Sequence, residues 1–282
     1  MKNQKVWFIT GASRGFGLDI TKAALAAGDK VVATVRSKPE QLKAALQHSD
    51  ALLVVTLDVT NEAQVKTGVQ EAIAHFGRID VLVNNAGYGL VGATEEVSDQ
   101  EVRKQFDTNV FGLLNVTRAV LPQMRAQQSG HIINISSLFG YGAGAPGLGL
   151  YGATKFAVEG ISEGLALEVK PLGIHVTALA PGIFRTEFAS ADSYQPAANV
   201  LEAYAATSGQ TRKGINQLHG NQPGDPAKLA QVVLRLADSE HPPLHVPVGR
   251  DAIALVRAKA AATAQEIDAW EEVSGNTDFT QA

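Results

Sequence analysis

The chain has 282 residues, of which 45% are hydrophobic, so it can bury a core and is not disordered as a whole. Lys and Arg total 24 and Asp and Glu total 28, and the resulting net charge of −4 disfavours nucleic-acid binding, which normally requires a basic excess. The absence of cysteine excludes disulfides, thiol catalysis and cysteine-bound zinc.

The first residues lead directly into a short apolar stretch, Val6–Thr10. This stretch is too short for the core of a signal peptide and no cleavage pattern follows it. No run of about 18 consecutive apolar residues predicts a transmembrane helix. We therefore expect a cytoplasmic protein that does not bind membranes.

Short apolar runs alternate with longer segments of helical periodicity. The predicted strands are Val6–Thr10, Val31–Arg36, Leu52–Leu57, Val81–Asn84, His131–Ser136, His175–Ala180 and Leu244–Val248. The predicted helices are Gly15–Ala27, Pro39–Gln47, Glu62–Phe76, Asp99–Gln127, Tyr151–Lys170 and Pro226–Asp238. Most strands are continuously apolar, as parallel strands covered on both faces are. The pattern predicts one α/β domain over residues 1–282, a Rossmann fold whose seven-stranded, parallel, doubly wound sheet carries helices on both faces.

Two segments do not follow this alternation. Residues 187–224 are polar and rich in small residues, which is typical of a substrate loop or lid. Residues 250–272 are predicted to form a tail helix. Its apolar residues are interpreted as packing against a sheet edge or a pocket; they are Ile253, Val256, Ala260, Ile267 and Trp270.

The first predicted strand is followed by the glycine-rich turn Thr10–Gly17, which opens a helix. Three glycines suit a tight turn, close approach of the backbone to a pyrophosphate, and close helix–strand packing. The helix N-terminus then offers free N–H groups and the positive end of its dipole. The position of this turn in a strand–helix–strand unit predicts a dinucleotide site.

The end of the second predicted strand indicates which dinucleotide is preferred. NAD sites usually place an acidic residue there, whereas this strand ends at Arg36 and has none. Arg14, in the glycine turn, is able to flank the same position. Two guanidinium groups would hold a 2′-phosphate through charge-assisted bonds, so we predict NADP(H).

Tyr151 and Lys155 are four residues apart on a predicted helix and therefore share a face. A free phenol has a pKa of about 10, and a nearby ammonium group lowers that value, as an acid/base tyrosine requires. The spacing alone is common on helices. Three further strand ends bring small or polar residues to the same sheet edge, where ligands of open α/β sheets bind; these are Asn84–Gly87, Ser136-Ser137 and Pro181–Thr186.

Over about residues 5–248 the chain resembles the classical short-chain dehydrogenase/reductase family, and within it the 17β-hydroxysteroid/retinol dehydrogenase-like branch. The matching motifs, in order, are Thr10–Gly17, Asp58-Val59, Asn84–Gly87, Asn109, Ser136-Ser137, Tyr151 with Lys155, and Pro181-Gly182. The resemblance implies a catalytic tetrad of Asn109, Ser137, Tyr151 and Lys155. With the glycine turn and the two arginines, the expected cofactor contacts are Gly11, Ser13, Arg14, Gly15, Phe16, Gly17, Arg36, Asp58, Val59, Asn85, Ala86, Gly87, Tyr151, Lys155, Pro181, Gly182, Ile183 and Thr186.

The resemblance also implies a mechanism. Ser137 and Tyr151 bond the substrate carbonyl, NADPH delivers hydride, and Tyr151 protonates the alkoxide. Lys155 lowers the pKa of Tyr151 and bonds the nicotinamide ribose, and Asn109 orients a water chain to Lys155. The segment between Ser137 and Tyr151 is one residue longer than expected, so Ser136 competes for the serine role.

These features predict an NADP(H)-dependent reductase of ketones or aldehydes, or dehydrogenase of the corresponding alcohols. One alternative is a non-catalytic NADP(H) sensor or scaffold. Another is epimerisation or dehydration by the same Tyr151 and Lys155, but relatives with these reactions carry a larger C-terminal substrate domain, which this chain is too short to hold. We expect a moderately apolar pocket from residues 88–96, 138–150 and 184–215, with Leu90, Phe139, Leu148, Phe184 and Phe188. No metal site is predicted, because prolines prevent a helix between His241 and His245. Family analogy alone predicts a dimer or tetramer formed through helices 99–127 and 151–170.

Overall fold

The computed structural model describes residues 4–47, 49–186, 194–218 and 220–279. Its strands, in chain order, are β1 (Val6–Ile9), β2 (Lys30–Val35), β3 (Leu52–Thr56), β4 (Val81–Asn84), β5 (Gly89–Val91), β6 (Gly130–Ile135), β7 (Ile174–Pro181), β8 (Tyr194–Pro196) and β9 (His245–Val248). Its α-helices are α1 (Gly15–Ala26), α2 (Pro39–Ala45), α3 (Glu62–Phe76), α4 (Asp99–Phe106), α5 (Leu113–Gln127), α6 (Gly149–Val169), α7 (Ser208–Leu218), α8 (Pro226–Ala237) and α9 (Arg250–Ser274).

The main sheet has seven parallel strands in the order β3-β2-β1-β4-β6-β7-β9. The predicted parallel Rossmann sheet is thereby confirmed, with strand boundaries within one or two residues of those expected. The strand order reverses direction between β1 and β4, and such a switch point leaves a crevice at the carboxyl edge of the sheet.

Helices cover both faces of the sheet. Side chains alternate between the faces, so Trp7 and Ile9 of β1 point into one apolar layer and Phe8 points into the other. The first layer contains residues of α1, α2 and α8, and the second contains residues of α3, α5 and α6. Burial on both faces explains why the central strands are continuously apolar.

The predicted helix Asp99–Gln127 contains an irregular turn. Ser98 and Glu101 form a capping box at its start, and the segment Asp107–Gly112 is a π-helix between α4 and α5. Such wider turns are frequent at functional sites, and Asn109 lies within this one.

The predicted loop over residues 187–224 is more regular than expected in the part that the structure describes. Strand β8 pairs in parallel with β5 in a separate two-stranded sheet, and α7 follows. Each of these strands has three residues, too few for a periodic signal.

The predicted tail helix forms, and it packs against the body only near its start. In α9 only Ala252, near the start, is fully buried, whereas Ile267 is 59% exposed and Trp270 is 64% exposed. Apolar residues with helical spacing do not specify what covers them, and here the helix leaves the body of the protein. Among the described residues no helix, α9 included, is both long and apolar enough to cross a membrane.

A buried polar chain connects the central strands to the helices. The Asn84 Nδ2 donates to Thr117 Oγ1 at 3.0 Å and to Asn134 Oδ1 at 2.9 Å. The Asn134 Nδ2 in turn donates to Ser162 Oγ at 2.9 Å, on α6. These bonds hold β4 and β6 in register with α5 and α6.

Replacing the central member of this chain should destabilise the fold. In Asn134→Leu, the amide of Asn84 and the hydroxyl of Ser162 lose a partner in a buried site, and we expect the free energy of unfolding to fall by about 1–3 kcal/mol. Urea denaturation measures this. An exposed asparagine, Asn276, provides the control Asn276→Leu, which should change stability by less than about 0.5 kcal/mol.

Candidate active site

A cavity of about 960 Å³ lies at the carboxyl edge of the main sheet. Every predicted site residue except Gly17 and Asn109 lines it. The structure therefore brings together residues from seven separate segments of the chain, as the sequence predicts.

The glycine turn is bonded to the end of β4. The Thr10 Oγ1 accepts the N–H groups of Asn85 and Ala86 at 2.9 and 3.0 Å, and Asn85 Nδ2 donates to the carbonyls of Thr10 and Gly11. Gly11 has φ +65°, and a Cβ on Gly17 would lie 2.5 Å from the Gly11 oxygen. Gly17 thus serves close packing behind the cavity wall, and side chains are excluded from both positions.

The end of the cavity near β2 is positively charged. Arg14 and Arg36 both line it, and Lys38, which the sequence analysis missed, lines it as well. Lys38 precedes α2 with φ 56°, an uncommon conformation for lysine. Asp58 and Val59 lie on the neighbouring wall, where the Asp58 carboxylate accepts bonds from the backbone and hydroxyl of Thr60.

Tyr151, Ser137 and Lys155 meet in the middle of the cavity. Helix α6 begins at Gly149, so Tyr151 lies in its first turn and Lys155 one turn later. The Ser137 hydroxyl bonds the Tyr151 hydroxyl. The Lys155 Nζ lies 5.8 Å from the centre of the Tyr151 ring and donates to the Ile135 carbonyl at 2.8 Å.

Burial dominates the proton affinity of this pair. Burial raises the pKa of Tyr151 to about 12, and its bond with Ser137 acts in the opposite direction. Burial lowers the pKa of Lys155 to about 8, whereas the nearby Glu159 carboxylate raises it. Lys155 was expected to lower the pKa of Tyr151; in the structure burial raises that pKa, and the lowering contribution comes from Ser137.

Ser136 and Ser137 have different surroundings, although both line the cavity. Ser137 caps a short 3₁₀ turn, accepts the N–H of Phe139 at 3.2 Å, and bonds Tyr151. The Ser136 Oγ is buried without a hydrogen-bond partner among the described residues and lies next to Gly140. The geometry therefore favours Ser137 for contact with a group bound at Tyr151.

Asn109 lies behind the cavity wall. Its Nδ2 donates to the Tyr88 carbonyl at 2.9 Å and to Thr154 Oγ1 at 3.1 Å, and its Oδ1 accepts the Tyr88 N–H at 3.0 Å. The π-helix thus places this amide between the β4 loop and α6. Gly87 separates it from Lys155: a Cβ there would lie 3.1 Å from the Asn109 oxygen and 3.9 Å from Lys155 Nζ.

The remaining wall is largely apolar. Of the predicted pocket residues, Phe139, Leu148 and Phe184 line it, Leu90 is buried in β5 outside it, and Phe188 lies outside the described residues. The predicted range 184–215 also contributes Tyr194 of β8 and Ile215 of α7, and Leu218 of α7 lies just beyond that range.

Helix α7 is fixed over the cavity by a buried ion pair. The Glu96 carboxylate accepts two bonds from Arg212, at 2.6 and 3.1 Å, together with the Leu201 N–H and the Ser208 hydroxyl. The Arg212 hydrogen bond is the main reason that the pKa of Glu96 falls to about 2. No local pattern in the sequence indicates this pair, because 116 residues separate its members.

The start of α9 supports the loop after β7. The Asp251 carboxylate accepts the Ile183 N–H at 2.7 Å. The same carboxylate occupies the space that a Cβ on Gly182 would need, so only glycine fits there. The tail helix therefore contributes to the site through its first turn.

Gln222 is a further cavity residue that the sequence analysis missed. It is 2% exposed and lines the cavity, yet neither its Nε2 nor its Oε1 has a hydrogen-bond partner among the described residues. Its backbone carbonyl accepts Arg185 Nε at 3.2 Å, beside the segment Ile183–Thr186. A buried amide without partners normally costs stability, and this one lies on the cavity wall.

Comparison with known proteins gives consistent matches along the chain. Residues 5–196 match the short chain dehydrogenase family. "Oxidoreductase BOA17" of Botryotinia fuckeliana is 42% identical over 272 residues, which are 96% of this chain and 98% of that protein. A 3-ketodihydrosphingosine reductase of Bacteroides thetaiotaomicron is 39% identical over 245 residues, covering 87% of this chain and 88% of that protein.

Solved structures also match this chain along most of its length. The crystal structure of a short-chain dehydrogenase from Streptomyces avermitilis is 43% identical, with a TM-score of 0.89, and the match covers 98% of this chain and 100% of that one. A 3-ketoacyl-(acyl-carrier-protein) reductase from Brucella melitensis, complexed with NADH, is 30% identical with a TM-score of 0.72, covering 88% and 98%. ElxO with NADP bound is 29% identical with a TM-score of 0.72, covering 89% and 100%. Both nicotinamide dinucleotides thus occur among the neighbours.

Replacing the unpartnered amide should not destabilise the protein. We expect Gln222→Leu to raise the free energy of unfolding, measured with urea and no added ligand, by up to about 1 kcal/mol, because a buried amide without partners is removed. It should also raise the KM for cofactor or substrate.

A bonded glutamine provides the control. The Gln127 amide exchanges two hydrogen bonds with the backbone of Ile79, so Gln127→Leu should lower stability by about 1–3 kcal/mol. If Gln222→Leu lowered the free energy of unfolding as much as Gln127→Leu does, a ligand-facing role for Gln222 would be contradicted.

Proposed function

Because this chain belongs to the short-chain dehydrogenase family and is an oxidoreductase, we propose that it transfers hydride between NADP(H) and a carbonyl or secondary alcohol, with Tyr151 as the acid/base. The observation that carries the proposal is the buried meeting point of Tyr151, Ser137 and Lys155 inside the cavity. A phenol, a hydroxyl and an ammonium group there suit a substrate oxygen that gains a proton.

The residues present fit a dinucleotide. Gly11 and Gly15, both with positive φ, leave the backbone of the turn accessible at the start of α1. The helix N-terminus offers N–H groups there to a pyrophosphate. Thr186 lies directly beside the turn, since a Cβ on Gly15 would be in contact with the Thr186 Cβ at 3.5 Å.

The charge at the β2 end supports NADP(H) over NAD(H). A 2′-phosphate is a dianion, and Arg14, Arg36 and Lys38 provide cations on the walls of that end. Asp58 lies on the adjoining wall and already accepts two bonds from Thr60, so its carboxylate is engaged within the protein.

When bound, NADP(H) supplies or accepts the hydride. Tyr151 keeps its proton at neutral pH because burial raises its pKa to about 12, and it is therefore able to protonate a substrate oxygen. Ser137 holds that oxygen by a second hydrogen bond. Lys155 contributes positive charge below its pKa of about 8, and Asn109 fixes the backbone of Tyr88 beside it.

A ketone with an apolar chain is the substrate class that fits best. The cavity wall carries Leu148, Tyr194, Ile215 and Leu218, and the Tyr194 ring lies 6.4 Å from the Tyr151 ring. Two of the similar proteins are named as reductases of 3-keto compounds.

The chain also exposes Phe111, Phe156 and Leu167 on the π-helix and α6, which supports a dimer or tetramer formed through these helices.

Removing the phenol hydroxyl tests the catalytic assignment. We expect Tyr151→Phe to lower kcat at least 10³-fold, because the proton donor is lost. NADPH affinity, measured by quenching of protein fluorescence, should change less than about threefold. Turnover of a panel of ketones within tenfold of wild type would refute the assignment, and absence of turnover in both proteins would support a non-catalytic binding protein.

Reversing the charge at the end of β2 tests the cofactor preference. We expect Arg36→Asp to lower the ratio of kcat/KM for NADPH to that for NADH by about 10- to 100-fold, because a charge-assisted bond of about 1.5–3 kcal/mol is lost. The control is Arg235→Asp on α8, an exposed residue outside the cavity that makes the same change in net charge. An unchanged ratio in Arg36→Asp would contradict NADP(H) specificity at this position.

A further inference from the structure

The tail helix presents an apolar stripe to solvent. Helix α9 has 25 residues and is therefore about 37 Å long. Along one face, alternating steps of three and four residues give the stripe Ile253, Val256, Ala260, Thr263, Ile267 and Trp270. This is the a/d spacing of a two-helix coiled coil.

The stripe continues past the point where α9 leaves the body. Beyond residue 257 every position in α9 except Thr263 is exposed, and Ile267 and Trp270 are 59% and 64% exposed. Most helical stability in proteins comes from packing of an amphipathic face, so a packing partner along the stripe would stabilise this helix.

The charges on α9 indicate what that partner is. Basic residues lie in the first half of the helix, at Arg250, Arg257 and Lys259, and the acidic residue of that half, Asp251, accepts the Ile183 N–H of the body. The second half carries acidic residues only, at Glu266, Asp268, Glu271 and Glu272. The helix is therefore complementary to itself only when two copies run antiparallel. Parallel copies would place like charges side by side.

An antiparallel pair aligns the apolar stripe as well. With the two-fold axis between residues 261 and 262, Ile253 lies opposite Trp270 of the second copy, and Val256 lies opposite Ile267. The same alignment places Lys259 next to Glu266 of the second copy, flanking the apolar contact. Antiparallel alignment also places each acidic C-terminal half next to the positive helix N-terminus of the other copy.

We propose that two copies of this chain associate through an antiparallel pair of α9 helices. This contact is separate from the one expected through the π-helix and α6, and it is independent of the proposed reaction. The interface is isologous, because each helix contributes the same residues to both halves of it.

Disulfide trapping tests the pair directly, since the wild-type chain has no cysteine. We expect Thr263→Cys, near the two-fold axis, to form a covalent dimer of twice 29.7 kDa under mild oxidation. Ser274→Cys should stay monomeric on the same gel, because antiparallel helices hold these positions more than about 30 Å apart. Ser239→Cys, an exposed position outside α9, measures the background from random collisions.

Each result decides the proposal. Cross-linking of Thr263→Cys no faster than the Ser239→Cys background would overturn it. Equal cross-linking of Ser274→Cys would replace it with a parallel pair. Adding Leu167→Asp, on a 78% exposed residue of α6, should leave the Thr263→Cys yield unchanged, whereas adding Ile267→Asp should lower it at least fivefold.

Charge exchange provides a second test. We expect Glu266→Lys/Glu271→Lys and Arg257→Glu/Lys259→Glu each to lower the trapping yield at Thr263→Cys at least fivefold. Mixing the two variants should restore the yield, because the opposite halves are again complementary. Recovery of neither yield on mixing would refute pairing through complementary charge, while circular dichroism checks that α9 stays helical.

Discussion

The site depends on one buried ammonium group, that of Lys155, and on the contacts that hold it. Lys155 is 6% exposed and donates to the Ile135 carbonyl at the end of β6. A charged group in such a position is stable only with fixed partners. The Glu159 carboxylate, one helical turn away, favours the charged form, and Tyr141 and His245 hold Glu159 through bonds of 3.1 and 3.0 Å. The charge beside Tyr151 is thus set by contacts that extend from the cavity to β9.

Those contacts require α6 and β6 to keep one relative position. The polar chain through Asn84, Asn134 and Ser162 supplies that constraint, because Ser162 lies two turns beyond Lys155 on the same helix. The apolar layers alone would permit small shifts of a helix across a sheet, whereas a directional hydrogen bond between buried groups selects one register. The hydrogen bonds that fix the core therefore also fix the position of Tyr151 and Lys155, which α6 carries.

The sequence predicted the elements whose signals are local. Continuous apolar strands, the glycine turn and the spacing of Tyr151 and Lys155 each depend on neighbouring residues, and the main sheet agreed with the prediction. Pairing of β5 with β8, or of Glu96 with Arg212, depends on residues more than 100 positions apart, and no local pattern encodes it. Gln222 was missed for a similar reason, since the lack of hydrogen-bond partners for its amide is a property of the folded chain.

The tail helix shows why periodicity alone was misleading. An amphipathic stripe indicates that a helix packs against a partner. The prediction assumed that this partner is the body of the same chain. The first turn does meet the body, since Asp251 binds the backbone of Ile183 next to Gly182. The turns beyond residue 257 do not, since every position there except Thr263 is exposed, and their charge distribution matches a second copy. Because helix formation is cooperative, pairing of the exposed turns would also stabilise the first one. Association of two chains would then steady the loop after β7, on the wall of the cavity where the proposed cofactor binds.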